Sequence, residues 1–186
     1  MKNRILILLC SLAVTAGCVA QEAKLSFEGR VQTGILEGQQ GTAFQLGIFG
    51  GVKKRTWTAS VGSGIDYYGV RSIPLYLELQ KRLFNKTEAP FIYAGGGHHF
   101  AWLSDKYKDA RSNVEGKGGL YYQAGIGYQL PVMKKAALYF AAGYSYKEYT
   151  ETITQTRFCV MWPCPQYEEK LSYRLRRLAI STGIRF

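Results

Sequence analysis

Two adjacent histidines, His98 and His99, with Ser104 a few residues on, are the side chains here whose types most suggest chemistry. An imidazole can take the proton of a hydroxyl that attacks an acyl group, but only with nucleophile and base within hydrogen-bond reach. On an extended chain successive side chains point to opposite faces, so only one of the two rings shares a side with any partner. Ser104 also lies outside a close His-x-Ser spacing. We therefore expect structural histidines, and assign no catalytic residue and no cofactor. Cys159 and Cys164 bracket Val160-Met161-Trp162-Pro163. Two thiols this close in an exported chain point to a local disulfide. It would staple a loop, or also present Met161 and Trp162 at its tip as contact candidates. A metal pair is not expected, since the histidines adjoin no cysteine and the usual ligand spacings are missing. The glycines at Gly95-Gly96-Gly97 and between Gly116 and Gly119 open no helix and precede no Lys-Ser/Thr, so they are strand and loop glycines rather than a phosphate cradle.

A third group is a set of charges of both signs: Glu28, Asp66 and Glu78 against Arg30, Arg82 and Arg177. What these can do depends on the elements that carry them. From Leu25 onward the chain alternates apolar with small or polar residues and is broken by short basic or Gly/Pro-bearing turns, the signature of strands. Leu25, Phe27, Val31, Thr33 and Ile35 form one face of the first; Phe44, Leu46, Ile48 and Val52 one face of the second; Trp57, Ala59, Val61, Ile65 and Tyr67 one face of the third. In the fourth, Leu75, Leu77, Leu79 and Leu83 oppose Tyr76, Glu78, Gln80 and Arg82, with Pro74 near its start. A fifth runs from Pro90 to about Trp102, its facing ambiguous. The sixth alternates from Leu120 to Leu130, and the seventh sets Leu138, Phe140, Ala142, Tyr144 and Tyr146 on one side. The eighth ends the chain with Leu178, Ile180, Thr182, Ile184 and Phe186 opposite Arg177, Ala179, Ser181, Gly183 and Arg185. Polar stretches from Ser104 to Lys117 and from Thr154 to Glu169 are expected as loops.

Eight such strands can close into a soluble barrel or a membrane barrel, and the face opposite the apolar set separates the two. In a soluble barrel that face meets water and should be rich in Lys, Glu and Asp. Here it carries Gly, Ala, Ser, Gln, Tyr and few charges, which suits a crowded polar lumen. An eight-stranded barrel is just wide enough for side chains to fill, so the six charges above are expected to pair inside it with no open channel. Each pair must offset its own desolvation, so they serve architecture more than stability. Connections near Lys54, Lys86 and Lys134 are short, and those from Ser104 and Thr154 long. That parity is expected of an outer-membrane barrel with both termini periplasmic. Many of the 14 tyrosines, among them Tyr67, Tyr68, Tyr93, Tyr128, Tyr144 and Tyr146, fall near strand ends, as interfacial aromatic girdles do.

The first twenty residues stand apart. Lys2 and Arg4 begin them, Ile5 to Val14 form an apolar core, and Cys18-Val19-Ala20 ends like a signal-peptidase site, giving a leader over 1–20 and a single domain over 21–186. Thr15-Ala16-Gly17-Cys18 offers the alternative of a lipidated cysteine, though Thr15 stands where Leu or Val is usual. The apolar core is too short for a spanning helix of about 20 residues. The formal charge is +11, and losing Lys2 and Arg4 leaves 22 basic against 13 acidic residues, or +9. Positive excess suits an anionic surface such as lipopolysaccharide; nucleic acid is not expected for an exported chain.

Ile73-Pro74-Leu75-Tyr76-Leu77, Pro90 to Gly97, Gln123-Ala124-Gly125-Ile126-Gly127-Tyr128 and the closing Gly183-Ile184-Arg185-Phe186 together resemble the outer-membrane β-barrel domain common in Bacteroidetes. The resemblance covers nearly all of residues 21–186. It implies an all-β, closed, eight-stranded antiparallel up-and-down transmembrane barrel in the outer membrane, with no catalytic residues. It also implies that the terminal aromatic Phe186, with Ile184, acts as the signal read by the barrel-assembly machinery. The expected role is therefore structural or surface-interacting and non-enzymatic. Two alternatives stay open: a lipid A-modifying enzyme that uses His and Ser at the outer rim, and a soluble periplasmic lipocalin-like binder.

Overall fold

The computed structural model describes residues 25–102, 112–133, 136–156 and 166–186. Every regular element among them is a strand: β1 (Ser26–Gly38), β2 (Gly41–Lys54), β3 (Trp57–Asp66), β4 (Ser72–Arg82), β5 (Ala89–Ala101), β6 (Ser112–Met133), β7 (Ala136–Thr156) and β8 (Gln166–Arg185). Each pairs antiparallel with its sequence neighbours. β8 returns to β1 through Arg30↔Arg185, Thr33↔Thr182 and Gly38↔Arg177, so the sheet closes. Closure pairs both edges of every strand around the barrel wall, the condition for a sheet to cross a bilayer. The main chain beyond β8 also joins in, since Gly29 and Phe186 exchange amide-to-carbonyl hydrogen bonds of 2.8 and 2.9 Å.

The alternation sorts residues by solvent. On the outside, Ile35, Ile48, Val61, Leu77, Ile126, Phe140, Leu178 and Ile180 are exposed, a belt no water-soluble monomer would carry. Inside, Arg30, Gln32, Asp66, Glu78, Gln80, Lys147 and Arg177 are buried. The sheet closes around bulky rings because small residues sit opposite them. A Cβ on Gly62 would meet the Phe49 ring at 2.5 Å, and one on Gly127 the Phe91 ring at 2.3 Å. In the middle of the lumen a space of about 10 Å³ lies among Arg30, Gln32, Glu78 and Gln123 and has room for about one water; a wider one of about 190 Å³ opens at the terminus end beside Glu28, Gln129 and Arg185.

Several expectations need correction. Strand reaches into both stretches read as loops: β6 starts at Ser112 and pairs through Lys117↔Thr150, and β7 and β8 pair as far as Thr156↔Gln166, while 104–111 and 157–165 lie outside the described residues. These hairpins rise past the apolar belt, where both faces can be polar and no apolar alternation marks them. The ambiguous β5 turns Phe91, Tyr93 and His99 inward and Ile92, His98 and Phe100 outward. Tyr68 and Tyr93 are not girdle residues. Tyr68 is buried and receives the Gln40 amide on its hydroxyl at 2.9 Å, and Tyr93 packs against Phe91 inside. Tyr67, Tyr128 and Tyr144 do lie on the exposed face, and Tyr146 stacks on Tyr122.

Candidate functional site

The chemistry-bearing side chains gather inside the barrel, in two clusters. The first spans the middle of the lumen and the end that carries the termini. Arg30 of β1 pairs with Glu78 of β4, and the other Glu78 oxygen accepts from Gln123 Nε2 of β6 at 2.8 Å. The Arg30 guanidinium lies 3.8 Å over the Phe49 ring and also donates to Gln80 at 3.2 Å. Arg185 of β8 donates to Gln80 and Gln129, both at 2.6 Å, and its Nε is 3.0 Å from Glu28. Tyr139 of β7 donates to Gln32 at 2.9 Å and stands between the two arginines, 5.4 and 5.7 Å from their carbons. Planar guanidinium groups suit this setting, since they stack on rings while donating in plane.

The second cluster lies toward the opposite end. Asp66, the last residue of β3, pairs with Arg177 of β8, and Lys147 of β7 approaches the same oxygen at 3.4 Å. Arg177 also donates to Ser145 at 2.6 Å. Lys147 donates to the carbonyl oxygens of Tyr68 at 2.8 Å and Val70 at 3.0 Å, and to the Ser72 hydroxyl at 3.0 Å. The β3–β4 turn is thus drawn into the barrel mouth and tied there. Asp66 closes the knot by accepting the Tyr68 amide at 2.8 Å.

Of the six charges singled out in sequence, Glu28, Arg30, Asp66, Glu78 and Arg177 have ion-pair partners inside. Arg82 is buried too, but it donates to main chain, to Arg55 O at 2.7 Å and Lys86 O at 3.2 Å, rather than joining a carboxylate pair. Lys147 was missed. It shares the inward parity of Tyr139, Ala141 and Ser145 on β7, so extending that strand one residue further would have found it. The glutamines that connect the charges, Gln80, Gln123 and Gln129, carry no signal of their own in the sequence.

The histidines divide as alternation demands. His99 points inward, where its Nε2 meets the Glu148 carbonyl oxygen and, at 3.2 Å, the Gly119 amide. His98 faces outward against Phe100. Main-chain partners hold His99. Among the described residues no three His, Cys, Asp or Glu side chains converge as a metal site. Ser104, the cysteines Cys159 and Cys164 with Met161 and Trp162, and the leader over 1–20 lie outside the described residues. Ile184 and Phe186 lie at the terminus end of β8, and both are exposed on the outer face.

No protein-family model matches the sequence, and no curated protein matches it. Solved structures do resemble the fold. The outer membrane protein OprG from Pseudomonas aeruginosa superposes with a TM-score of 0.61 at 12% identity, covering 89% of this chain and 97% of that one. Neisserial surface protein A superposes with a TM-score of 0.52 at 15% identity, covering 87% and 97%. At such identities the likeness establishes the architecture: this chain has the fold of the small outer-membrane β-barrels.

Proposed function

We propose, starting from an integral outer-membrane β-barrel with a packed interior, that this protein is a non-enzymatic structural or surface-interaction protein and not a pore. The observation that carries the reading is the lumen. Ion pairs, glutamines and stacked rings fill its middle, where a space of only about 10 Å³ lies among Arg30, Gln32, Glu78 and Gln123. A wall this well packed has no route for solute, so interactions fall to its rims. The end with both termini is assigned to the periplasm, which suits the tight connection between β2 and β3 there and the long extensions of β6, β7 and β8 at the other end. Residues 1–20 then act as a cleaved leader, or Cys18 as a lipidated start.

The outer rim suits lipopolysaccharide. Arg71 lies 5.6 Å over Tyr67 and 5.3 Å over Trp102, and Arg174 and Arg176 are exposed on β8 beyond Leu178. Cations placed just outside an apolar belt meet lipid phosphates. Neisserial surface protein A, similar in fold, is by its name a surface protein, which favours the same placement here. Met161 and Trp162, on a loop closed by a Cys159–Cys164 disulfide, are the contact candidates. Ile184 and Phe186, at the end of the outward row of β8, are the proposed signal for barrel assembly. The Bacteroidetes-type assignment rests on the four sequence segments, which fall on β4, β5, β6 and β8.

Fractionation combined with lipid A mass spectrometry tests the reading. The protein should remain in the membrane fraction until detergent is added and should run heat-modifiably. Lipid A from a deletion strain, and from one with His98→Ala and His99→Ala, should match wild type. An altered acyl pattern would instead establish the enzyme reading, and recovery in the soluble fraction the periplasmic binder.

A further inference from the structure

The outer wall is not uniformly bulky. On β2 to β5 the outward residues align in rows across the register. Lys54, Trp57, Lys81 and Ile92 form the row nearest the termini, followed by Val52, Ala59, Leu79 and Ala94, and then Gly50, Val61, Leu77 and Gly96. The second and third rows line a groove of about 720 Å³, within the roughly 300–1,000 Å³ of small-ligand sites. A second depression of about 580 Å³ shares Gly50 and Val52 with it and runs toward Phe27 and Phe186.

Barrel packing does not require this relief. A Cβ on Gly50 would meet nothing within 4 Å, and one on Gly96 would meet nothing nearer than 3.8 Å. Neither has a positive φ, and glycine weakens a strand, so both positions give up stability without a steric reason inside the protein. The row that bounds the groove is cationic. Lys54 is exposed, Lys81 Nζ lies 5.0 Å from the Trp57 ring centroid, and Arg55 stands in the turn beside them. Lysines flanking an interfacial tryptophan, with an apolar groove directly above, match the two parts of one ligand: a phosphate and its acyl chains.

We infer that this groove is a binding site for an anionic phospholipid of the periplasmic leaflet. The phosphate lies against Lys54, Lys81 and Arg55, and the acyl chains lie in the two depressions flanking Gly50 and Val52. The inference rests on the orientation proposed above, which assigns the terminus end to the periplasm.

Native mass spectrometry of the detergent-purified barrel tests it, with dioleoyl phosphatidylglycerol against dioleoyl phosphatidylcholine as probes. Wild type should retain phosphatidylglycerol about tenfold more than phosphatidylcholine, since each lysine near a lipid phosphate contributes to the preference. Lys54→Gln with Lys81→Gln should bring the ratio to about one, because the phosphate then has no fixed cations. Gly50→Leu with Gly96→Leu should remove bound lipid while heat-modifiability is unchanged, since a Cβ at either position meets nothing nearer than 3.8 Å. Equal retention of both lipids by wild type, or an unchanged preference in the lysine variant, would overturn the site. So would lipid-free dimers that the two leucines dissolve, which would assign the face to a second copy. Labelling of Lys54→Cys by an impermeant maleimide on intact cells would overturn the leaflet and the orientation, while the selectivity measured in detergent would stand.

Discussion

Toward the termini the charges in the lumen are met mainly by other side chains, whereas toward the opposite mouth they are met as much by main chain. In the first region Arg30, Glu78, Arg185 and Glu28 alternate in sign, and Gln80, Gln123 and Gln129 bridge them by hydrogen bonds. In the second, one carboxylate, Asp66, serves two cations, and Lys147 spends most of its donors on the Tyr68 and Val70 carbonyls and the Ser72 hydroxyl. The first arrangement holds strands to one another across the lumen; the second ties a turn to the wall. Charge inside a small barrel therefore does two jobs, register in one region and closure of a mouth in the other, with one balanced network and one that hinges on a single acid.

That asymmetry predicts unequal consequences. The largest should come from Asp66→Ala, which leaves Arg177 and Lys147 facing each other in a buried site. A loss of about 3–5 kcal/mol is expected, read by urea unfolding from lipid vesicles. If Asp66→Ala unfolds no more readily than wild type, the single-acid account fails. Arg30→Ala should cost less, about 2–3 kcal/mol, because Glu78 keeps the Gln123 amide and the emptied space can take water. Combining the two changes sharpens the comparison. Tyr121 donates to Gln123 at 3.2 Å and its ring lies 5.7 Å from the Arg177 guanidinium carbon, so the clusters touch through a side chain without sharing a charge. Their effects should add to within about 0.5 kcal/mol. A larger coupling would merge the two regions into one network.

Lys147→Met should lower stability by only about 1 kcal/mol, since Asp66 keeps Arg177. It should, however, expose the turn around Tyr68 and Val70 to protease added outside cells, and an unchanged cleavage pattern would deny Lys147 its tie. The smallest effect belongs to Arg82→Gln, at or below about 1 kcal/mol, because a glutamine amide can still reach one of the carbonyls of Arg55 and Lys86. A loss comparable to that of Asp66→Ala would mean that Arg82 belongs to the charged network after all.

Alternation made the barrel legible. On β4, Leu75, Leu77 and Leu79 against Tyr76, Glu78, Gln80 and Arg82 fix which side is lumen before any partner is known. Pairing was less legible, because two-residue periodicity says which way a side chain points and not how far along the barrel its neighbour's register places it. Glu78 and Arg82 share a face two periods of alternation apart, yet one meets Arg30 and the other the carbonyls of Arg55 and Lys86. The hairpin extensions of β6 to β8 were hidden for another reason: past the belt both strand faces meet water, and main-chain pairing alone defines the strand. Tyr68 and Tyr93 misled because an aromatic near a strand end suits a girdle and a packed lumen equally, and only the strand's facing decides.

The measurement that bears most directly on the central claim, a lumen closed by its own side chains, is ion conductance in planar lipid bilayers. Protein whose insertion is verified by its heat-modifiable shift should give no steady conductance steps, while a barrel with Arg30→Ala and Tyr139→Ala, emptied in the middle of the lumen, should pass ions. Stable, voltage-independent steps from the wild-type chain would contradict the account.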